Sequence, residues 1–326
     1  MSISHIVPGT VPAKYYDLHS HSLHSDGTLT PSELVQRAQA AGVEVLALTD
    51  HDVTDGLDEA MNAADRHGIK LIAGVEISVT WNNQTLHILG LNIDPGQAEL
   101  QQGLARLREF RVWRAQEIGR RLEKKKITGA YAGAVRLAKG SIISRSHFAR
   151  FLFEQGYVRG FPQAFRQFLS RGKPGFVPGQ WTTLGEAVNW IVAAGGQAVV
   201  AHPARYKLSA GKLRLLLNEF RECGGTAIEV ISGSHTPEAS LHFAGISREH
   251  GLLASAGSDY HGPENYTGSE TGHASACHEG ANLGGVTRQK TWSGRGLGKL
   301  PPLPDGCTPV WRDWESNAPT TRAVLA

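Results

Sequence analysis

The chain is poor in cysteine, in long apolar runs and in any excess of one charge. Only three of its 326 residues are cysteine, at Cys223, Cys277 and Cys307. They lie far apart and form no CxxC pair. This excludes a disulfide framework and a thiolate zinc site, and it fits a reducing, cytoplasmic setting. No run of ~18 apolar residues occurs, which excludes a membrane-spanning helix. The opening segment, MSISHIVPGTVPAKYYD, lacks the apolar core of a signal peptide. Lys and Arg number 33 against 30 Asp and Glu, so neither a basic nucleic-acid coat nor an acidic tail is present. A hydrophobic fraction of 40% is enough to bury a full core. What the chain has in quantity is histidine: 15 residues, against seven Trp and seven Tyr.

Residues up to about 95 alternate between strand and helix patterns. Strands are expected at Tyr15–His21, Glu44–Thr49, Lys70–Ile77 and Thr85–Leu91. Between them, Thr30, Pro31 and Glu33 form a helix start with a capping box, and Leu34, Val35, Ala38 and Ala41 form its apolar stripe. A second helix is expected over Leu57–His67. Residues 98–175 break this rhythm with a long Arg-rich helix, Leu100–Lys126, and shorter helical pieces. The rhythm returns with helices near Thr183–Ala194, Ser209–Glu222 and Pro237–His250. The strands between and after them are Gln197–Ala201, Ala227–Ile231 and Leu252–Ser255. Such alternation points to parallel βα units.

We therefore read residues 1–97 and 176–266 as one α/β barrel and 98–175 as a helical insertion covering its mouth as a substrate lid. Residues 267–296 are a Gly/Ser-rich loop. Residues 297–326 are a Pro-rich tail packed on the barrel, anchored by Val310 and Trp311.

The chemistry-bearing residues gather where strands end. In Asp17-Leu18-His19-Ser20-His21, residues two apart share a strand face, so His19 and His21 project together. Thr49-Asp50-His51-Asp52 ends the second strand, and Gly74-Val75-Glu76 lies in the third. His87 lies in the fourth strand, His202-Pro203 follows the fifth, and Gly257-Ser258-Asp259-Tyr260-His261 follows the last. Any one of these is readily a core histidine hydrogen-bonded to backbone. Their recurrence on successive strands points instead to a ring of nitrogen and oxygen ligands for divalent metal.

The strings DLHSHSLHSDG, LTDHD, GVE, AHP and GSDYHG resemble, in order and spacing, the motifs of the PHP (polymerase and histidinol phosphatase) superfamily. Within it the chain resembles the nucleoside 3′,5′-bisphosphate phosphatases that also trim RNA from the 5′ end. The resemblance covers roughly residues 15–266 and the tail from Leu297. It implies a distorted seven-stranded (β/α) barrel with three divalent metal ions, Mn²⁺ being expected ahead of Fe²⁺ or Zn²⁺. Residue by residue, it implies that His19, His21, Glu76 and Asp259 hold a first metal. Glu76 bridges to a second with His87 and His202, and Asp26, His51 and His261 hold a third. Two of these metals would share a water and lower its pKa towards neutrality.

A phosphoesterase also needs cations for oxygens that metals leave uncompensated. Arg145, Arg150, Arg171, Lys173 and Arg205 are the candidates, and the resemblance favours Arg145, Lys173 and Arg205 as substrate contacts. Arg145 and Arg150 are equally readable as a solvated helix face. The Arg-rich helix is readable as a nucleic-acid surface or as a solvated helix with Leu104, Leu107, Val112 and Ile118 inward. His273, Cys277 and His278 offer metal-binding types, but in a low-complexity stretch. The expected partner is a small phosphorylated substrate such as a nucleoside bisphosphate, or short RNA, with no membrane and no obligate protein partner evident. Three rivals stand beside this reading. One is a phosphatase of another small monoester, such as histidinol phosphate; another is a non-catalytic PHP module. The third is an amidohydrolase, a class that usually carries a bridging carbamylated lysine, and no lysine ends a strand here.

Overall fold

In the computed structural model, which describes residues 14–263 and 296–314, seven strands form one sheet in sequence order. They are β1 (Tyr16–Asp17), β2 (Val45–Leu48), β3 (Lys70–Trp81), β4 (Gln84–Leu91), β5 (Gln197–Val200), β6 (Ala227–Ser232) and β7 (Leu253–Gly257). The helices are α1 (Pro31–Ala40), α2 (Leu57–His67), α3 (Ala98–Glu123), α4 (Ala130–Leu137), α5 (Arg145–Glu154), α6 (Phe161–Ala164), α7 (Leu184–Ala193), α8 (Ala210–Glu222) and α9 (Pro237–Glu249). Backbone bonds join the end of β7 to the segment after β1: Leu18 N to Ala256 O, Asp259 N to His19 O and His21 N to Tyr260 O, each 2.9 Å. The sheet thereby curls into the expected seven-stranded α/β barrel.

One strand departs from the parallel βα expectation. β4 runs antiparallel to both β3 and β5. Asn82 and Asn83, with φ of 46° and 58°, make the two-residue turn that reverses the chain. Asn tolerates this left-handed backbone, which matches the twist of the flanking strands. The reversal explains His87. It sits in the first half of β4, opposite Ser78, and so reaches the rim to which β3 rises.

The barrel interior is filled by Leu18, Val45, Ala47, Ile72, Leu89, Leu91, Val199, Ala201 and Ala227, with Val310 of the tail added. Val310 is 1% exposed, and Trp311 stacks on Tyr16 at 4.2 Å, so both act as the expected anchors. The tail beyond Trp314, residues 264–295 and residues 1–13 lie outside the described residues, and with them most of the Gly/Ser-rich loop, including His273, Cys277 and His278.

The capping box of α1 forms as read from the sequence: Thr30 Oγ1 accepts from Glu33 N, and the Glu33 carboxylate accepts from Thr30 N. Ala41 is exposed, because it lies beyond the last helical turn as the C-cap. Between β4 and β5, helices α3 to α6 enclose an apolar cluster of their own, around Phe148, Leu122, Leu152 and Leu169. On α3, Leu104, Leu107 and Ile118 are buried as expected, whereas Val112 is 40% exposed. Arg111 and Arg114 are buried in its place. With 3.6 residues per turn, residues 104, 107, 111, 114 and 118 share one face and 112 does not.

Candidate metal centre

Every strand except β6 sends a sequence-predicted donor to one rim, and the donors converge below the surface. His19 Nε2 and His21 Nε2 lie 3.1 Å apart. Each is 3.2–3.3 Å from Glu76 Oε2 and from Asp259 Oδ1. A tetrahedral ion with ligands at about 2.1 Å has donors separated by about 3.4 Å along each edge. His19, His21 and Glu76 are fully buried, and the Asp259 side chain is 7% exposed. Two neutral imidazoles cannot both donate across so short a gap, so their lone pairs require a proton or a cation between them.

The other oxygen of Glu76, Oε1, turns to His87 Nδ1 at 2.8 Å and His202 Nε2 at 3.0 Å. On the opposite side, Asp26 Oδ1 faces His261 Nε2 at 3.3 Å and His51 Nε2 at 3.8 Å. The donors gather into three groups, within each of which all donor atoms lie within 4.8 Å of one another. These are His19, His21, Glu76 and Asp259; His51, Glu76 and His87; and His21, Asp26, His51 and His261. Glu76 is thus shared by two groups.

Whether these residues suit metal is tested by their unmet hydrogen bonds. Glu76 Oε2, Asp26 Oδ1 and His51 Nδ1 are buried polar atoms with no hydrogen-bond partner. Orphan acceptors of this kind cost free energy unless something outside the chain satisfies them. Burial alone raises the carboxyls of Glu76, Asp26 and Asp259. The surrounding histidines, with Arg205 beside Asp259, outweigh it and hold all three well below the usual range. Burial pushes His202 down to about 3, so it is a neutral imidazole with a free lone pair. The neighbouring carboxylates, against the effect of burial, instead raise His19, His21 and His261, the last to about 10, so a bound divalent cation would take the place of those protons. Carboxylate and imidazole together are a donor set for Mn²⁺, Fe²⁺ or Zn²⁺.

The backbone at these sites is held in unusual conformations. His202 and Asp259 have φ of 29° and 55°. A Cβ on Gly257 would lie 2.3 Å from the His19 Cβ, so only glycine lets β7 approach this closely.

Of the expected phosphate contacts, Arg205 lies at the rim, its Nη1 2.8 Å from Asp259 Oδ2. Arg145 is the first residue of α5, between Ser144 and Ser146, whose hydroxyls each donate to Asp26 Oδ2 at 3.0 Å. Its guanidinium lies 5.6 Å from the Phe165 ring. Lys173 is exposed on the turn after residue 170.

Sequence reasoning missed the supporting layer. Glu229, in the apolar run Ala227–Ser232, accepts from His202 N and lies 2.8 Å from His19 Nδ1. Asp50 accepts from Ser22 N and from the hydroxyls of Ser22 and Ser25, fixing the loop that carries Asp26. A carboxylate in the middle of a fully buried strand was the available signal for Glu229. By orienting a ligand imidazole, such a group typically controls metal affinity by 10- to 100-fold. We expect Glu229→Gln to stay folded and bind Mn²⁺ about 10- to 100-fold more weakly in a titration. Unchanged affinity would leave Glu229 a packing residue only.

A profile of the PHP domain matches residues 17–171. The chain is 44% identical over 302 residues to the 3′,5′-nucleoside bisphosphate phosphatase of Chromobacterium violaceum, covering 92% of this chain and 96% of that one. The chain belongs to the PHP family. It is also 42% identical over 315 residues to the 5′-3′ exoribonuclease Rnm of Escherichia coli, covering 96% of this chain and 98% of its relative. A solved structure described as an amidohydrolase from Chromobacterium violaceum, with bound sulfate and no metal, superposes with a TM-score of 0.81 at 43% identity. The match covers 92% of this chain and 96% of that one.

Proposed function

We propose that this PHP protein is a metal-dependent phosphoesterase that removes the 3′-phosphate of nucleoside 3′,5′-bisphosphates. With a phosphodiester in place of the monoester, the same site releases nucleotides one at a time from the 5′ end of short 5′-phosphorylated RNA. The observation that carries this reading is the buried meeting of His19, His21, Glu76 and Asp259 around one point, with the second Glu76 oxygen turned to His87 and His202. Two relatives, named for a nucleoside bisphosphate phosphatase and a 5′-3′ exoribonuclease, support the substrate class.

In our reading three divalent ions, Mn²⁺ in the first instance, are held as follows. His19, His21, Glu76 and Asp259 take one; Glu76, His87 and His202 take a second; Asp26, His51 and His261 take a third. Bound divalent metal supplies Lewis acidity and lowers the pKa of coordinated water. The chain's own residues do the rest. Arg205, poised by Asp259, and Arg145 and Lys173 of the lid formed by residues 98–175 grip phosphate oxygens, Arg with two parallel bonds and Lys as a point charge. Glu229, whose other carboxylate oxygen accepts from the His202 amide, holds the His19 imidazole in one orientation. An amidohydrolase is disfavoured because, among the described residues, no strand ends in a lysine that could form a carbamylated bridge. Among the described residues no helix is long and apolar enough to cross a membrane. Cysteine is scarce, and Cys223 and Cys307 are free, which supports our assignment to the cytoplasm.

The test compares a nucleoside 3′,5′-bisphosphate with the matching 3′-monophosphate in Mn²⁺. Binding energy from the remote 5′-phosphate is expected to appear in turnover. One charge-assisted contact corresponds to at least roughly tenfold in kcat/KM. Equal kcat/KM for the two substrates would overturn the handle. Absence of phosphate release from either would overturn the activity.

A further inference from the structure

Arg111 is the unexpected residue of α3. A guanidinium 5% exposed, 59 residues in sequence from its main partner, is not the solvated charge that an Arg-rich helix suggests. Its Nε and Nη2 both lie 2.6 Å from Asp52 Oδ2, and Nη2 also donates to Ser78 Oγ at 2.9 Å. The face of the Trp181 ring lies 5.0 Å from its guanidinium carbon and fixes the plane of the fork. Arg108, one turn earlier, donates to the Asp52 carbonyl at 3.2 Å.

Asp52 in turn is tied to each member of one donor group. It follows His51 directly, and its φ of 53° sets the direction of the chain as it leaves that histidine. Its amide donates to Glu76 O at 3.0 Å. Its Oδ1 accepts from Ser78 N at 2.7 Å, and Ser78 is the cross-strand partner of His87. The three residues so connected, His51, Glu76 and His87, are themselves one of the three donor groups.

We propose that Arg111 is a positioning residue for the His51, Glu76 and His87 group, acting through Asp52 and Ser78. The inference rests on the metal-binding reading given above. Asp52 is fully buried. Without its guanidinium partner it is an uncompensated charge, and a buried carboxylate in that position turns towards water or another cation. Its two backbone ties then slacken, and the donors they register lose their common centre. The fork matters as well as the charge: Lys at 111 satisfies Asp52 with a single ammonium but cannot also hold Ser78 in the same plane.

The experiment is a Mn²⁺ titration of metal-stripped protein, with free ion read by electron paramagnetic resonance and folding by circular dichroism. Wild type, Arg111→Met, Arg111→Lys and Ser78→Ala are compared. We expect Arg111→Met to remain folded and to lose about 10- to 100-fold in Mn²⁺ affinity, the scale of a ligand-orienting contact, at the sites to which His51, Glu76 and His87 contribute. Arg111→Lys and Ser78→Ala should fall between the two. A purely structural role would lower the melting temperature of Arg111→Met and leave its Mn²⁺ affinities untouched, and that result overturns the proposal. Should Arg111→Met fail to fold, wild-type Mn²⁺ affinity in both Arg111→Lys and Ser78→Ala overturns it instead. A wild-type protein that binds no Mn²⁺ would overturn the proposed function together with this inference. Unchanged variants of a metal-binding wild type overturn the inference alone.

Discussion

Glu76→Gln is expected to abolish turnover and to strip metal from the purified protein while leaving the barrel folded. The replacement is nearly isosteric, so the packing of a fully buried side chain is disturbed little. What changes is charge. Glu76 lies within 3.3 Å of His19, His21, His51, His87 and His202. An amide brings no negative charge and places an NH₂ where an acceptor is needed, facing nitrogen donors on at least one side. Those imidazoles already hold the Glu76 carboxyl well below its usual pKa against the effect of burial, so the carboxylate is ionised at neutral pH. Its neutral replacement therefore removes one full charge from two donor groups at once. Elemental analysis and phosphate release from a bisphosphate check the outcome together. Full activity with full metal content would refute the shared role of Glu76.

Arg145→Ala is expected to lower kcat/KM by roughly 10- to 150-fold, the equivalent of one charge-assisted contact of about 1.5–3 kcal/mol. The helix that carries it is docked to the site independently. Ser144 Oγ accepts from Ser146 N, and both hydroxyls donate to Asp26. His147, buried and neutral with its pKa lowered to about 4, accepts from Ser144 N. Removing the guanidinium therefore leaves the cap, and the placement of α5, in being. Melting temperature and Mn²⁺ content should stay near wild type while steady-state kinetics change. A well-folded variant with unchanged kcat/KM would return Arg145 to an ordinary helix surface.

The donors were legible because each is announced locally. His19 and His21 are two apart in the extended segment just after β1, and His51, His202 and Asp259 each follow an apolar run that ends at the rim. The direction of β4 was not legible. Alternation of apolar and polar residues has the same period in either direction, and the sign of the strand rests on Asn82 and Asn83, which read as an ordinary polar break. Arg111 was hidden for a related reason. Charged residues at helical spacing look solvated until the partner that buries them is known, and here that partner, Asp52, belongs to a different βα unit. Glu229 was visible as an anomaly in a buried strand, but only its neighbours across the barrel, His19 and the His202 amide, give it a meaning.

The seam that closes the barrel runs through the donor cluster. Asp17 accepts from Ser258 N across a sequence separation of 241 residues, and His19 and Asp259 meet beside that bond. Closing a contact over so long a stretch of chain costs more conformational entropy than closing a local one. A cation held by donors from both sides would act as a staple over it. Because such an ion binds the closed form and not the open one, it stabilises closure by mass action. The supply of metal would then set how long the ring stays shut as well as how fast it works.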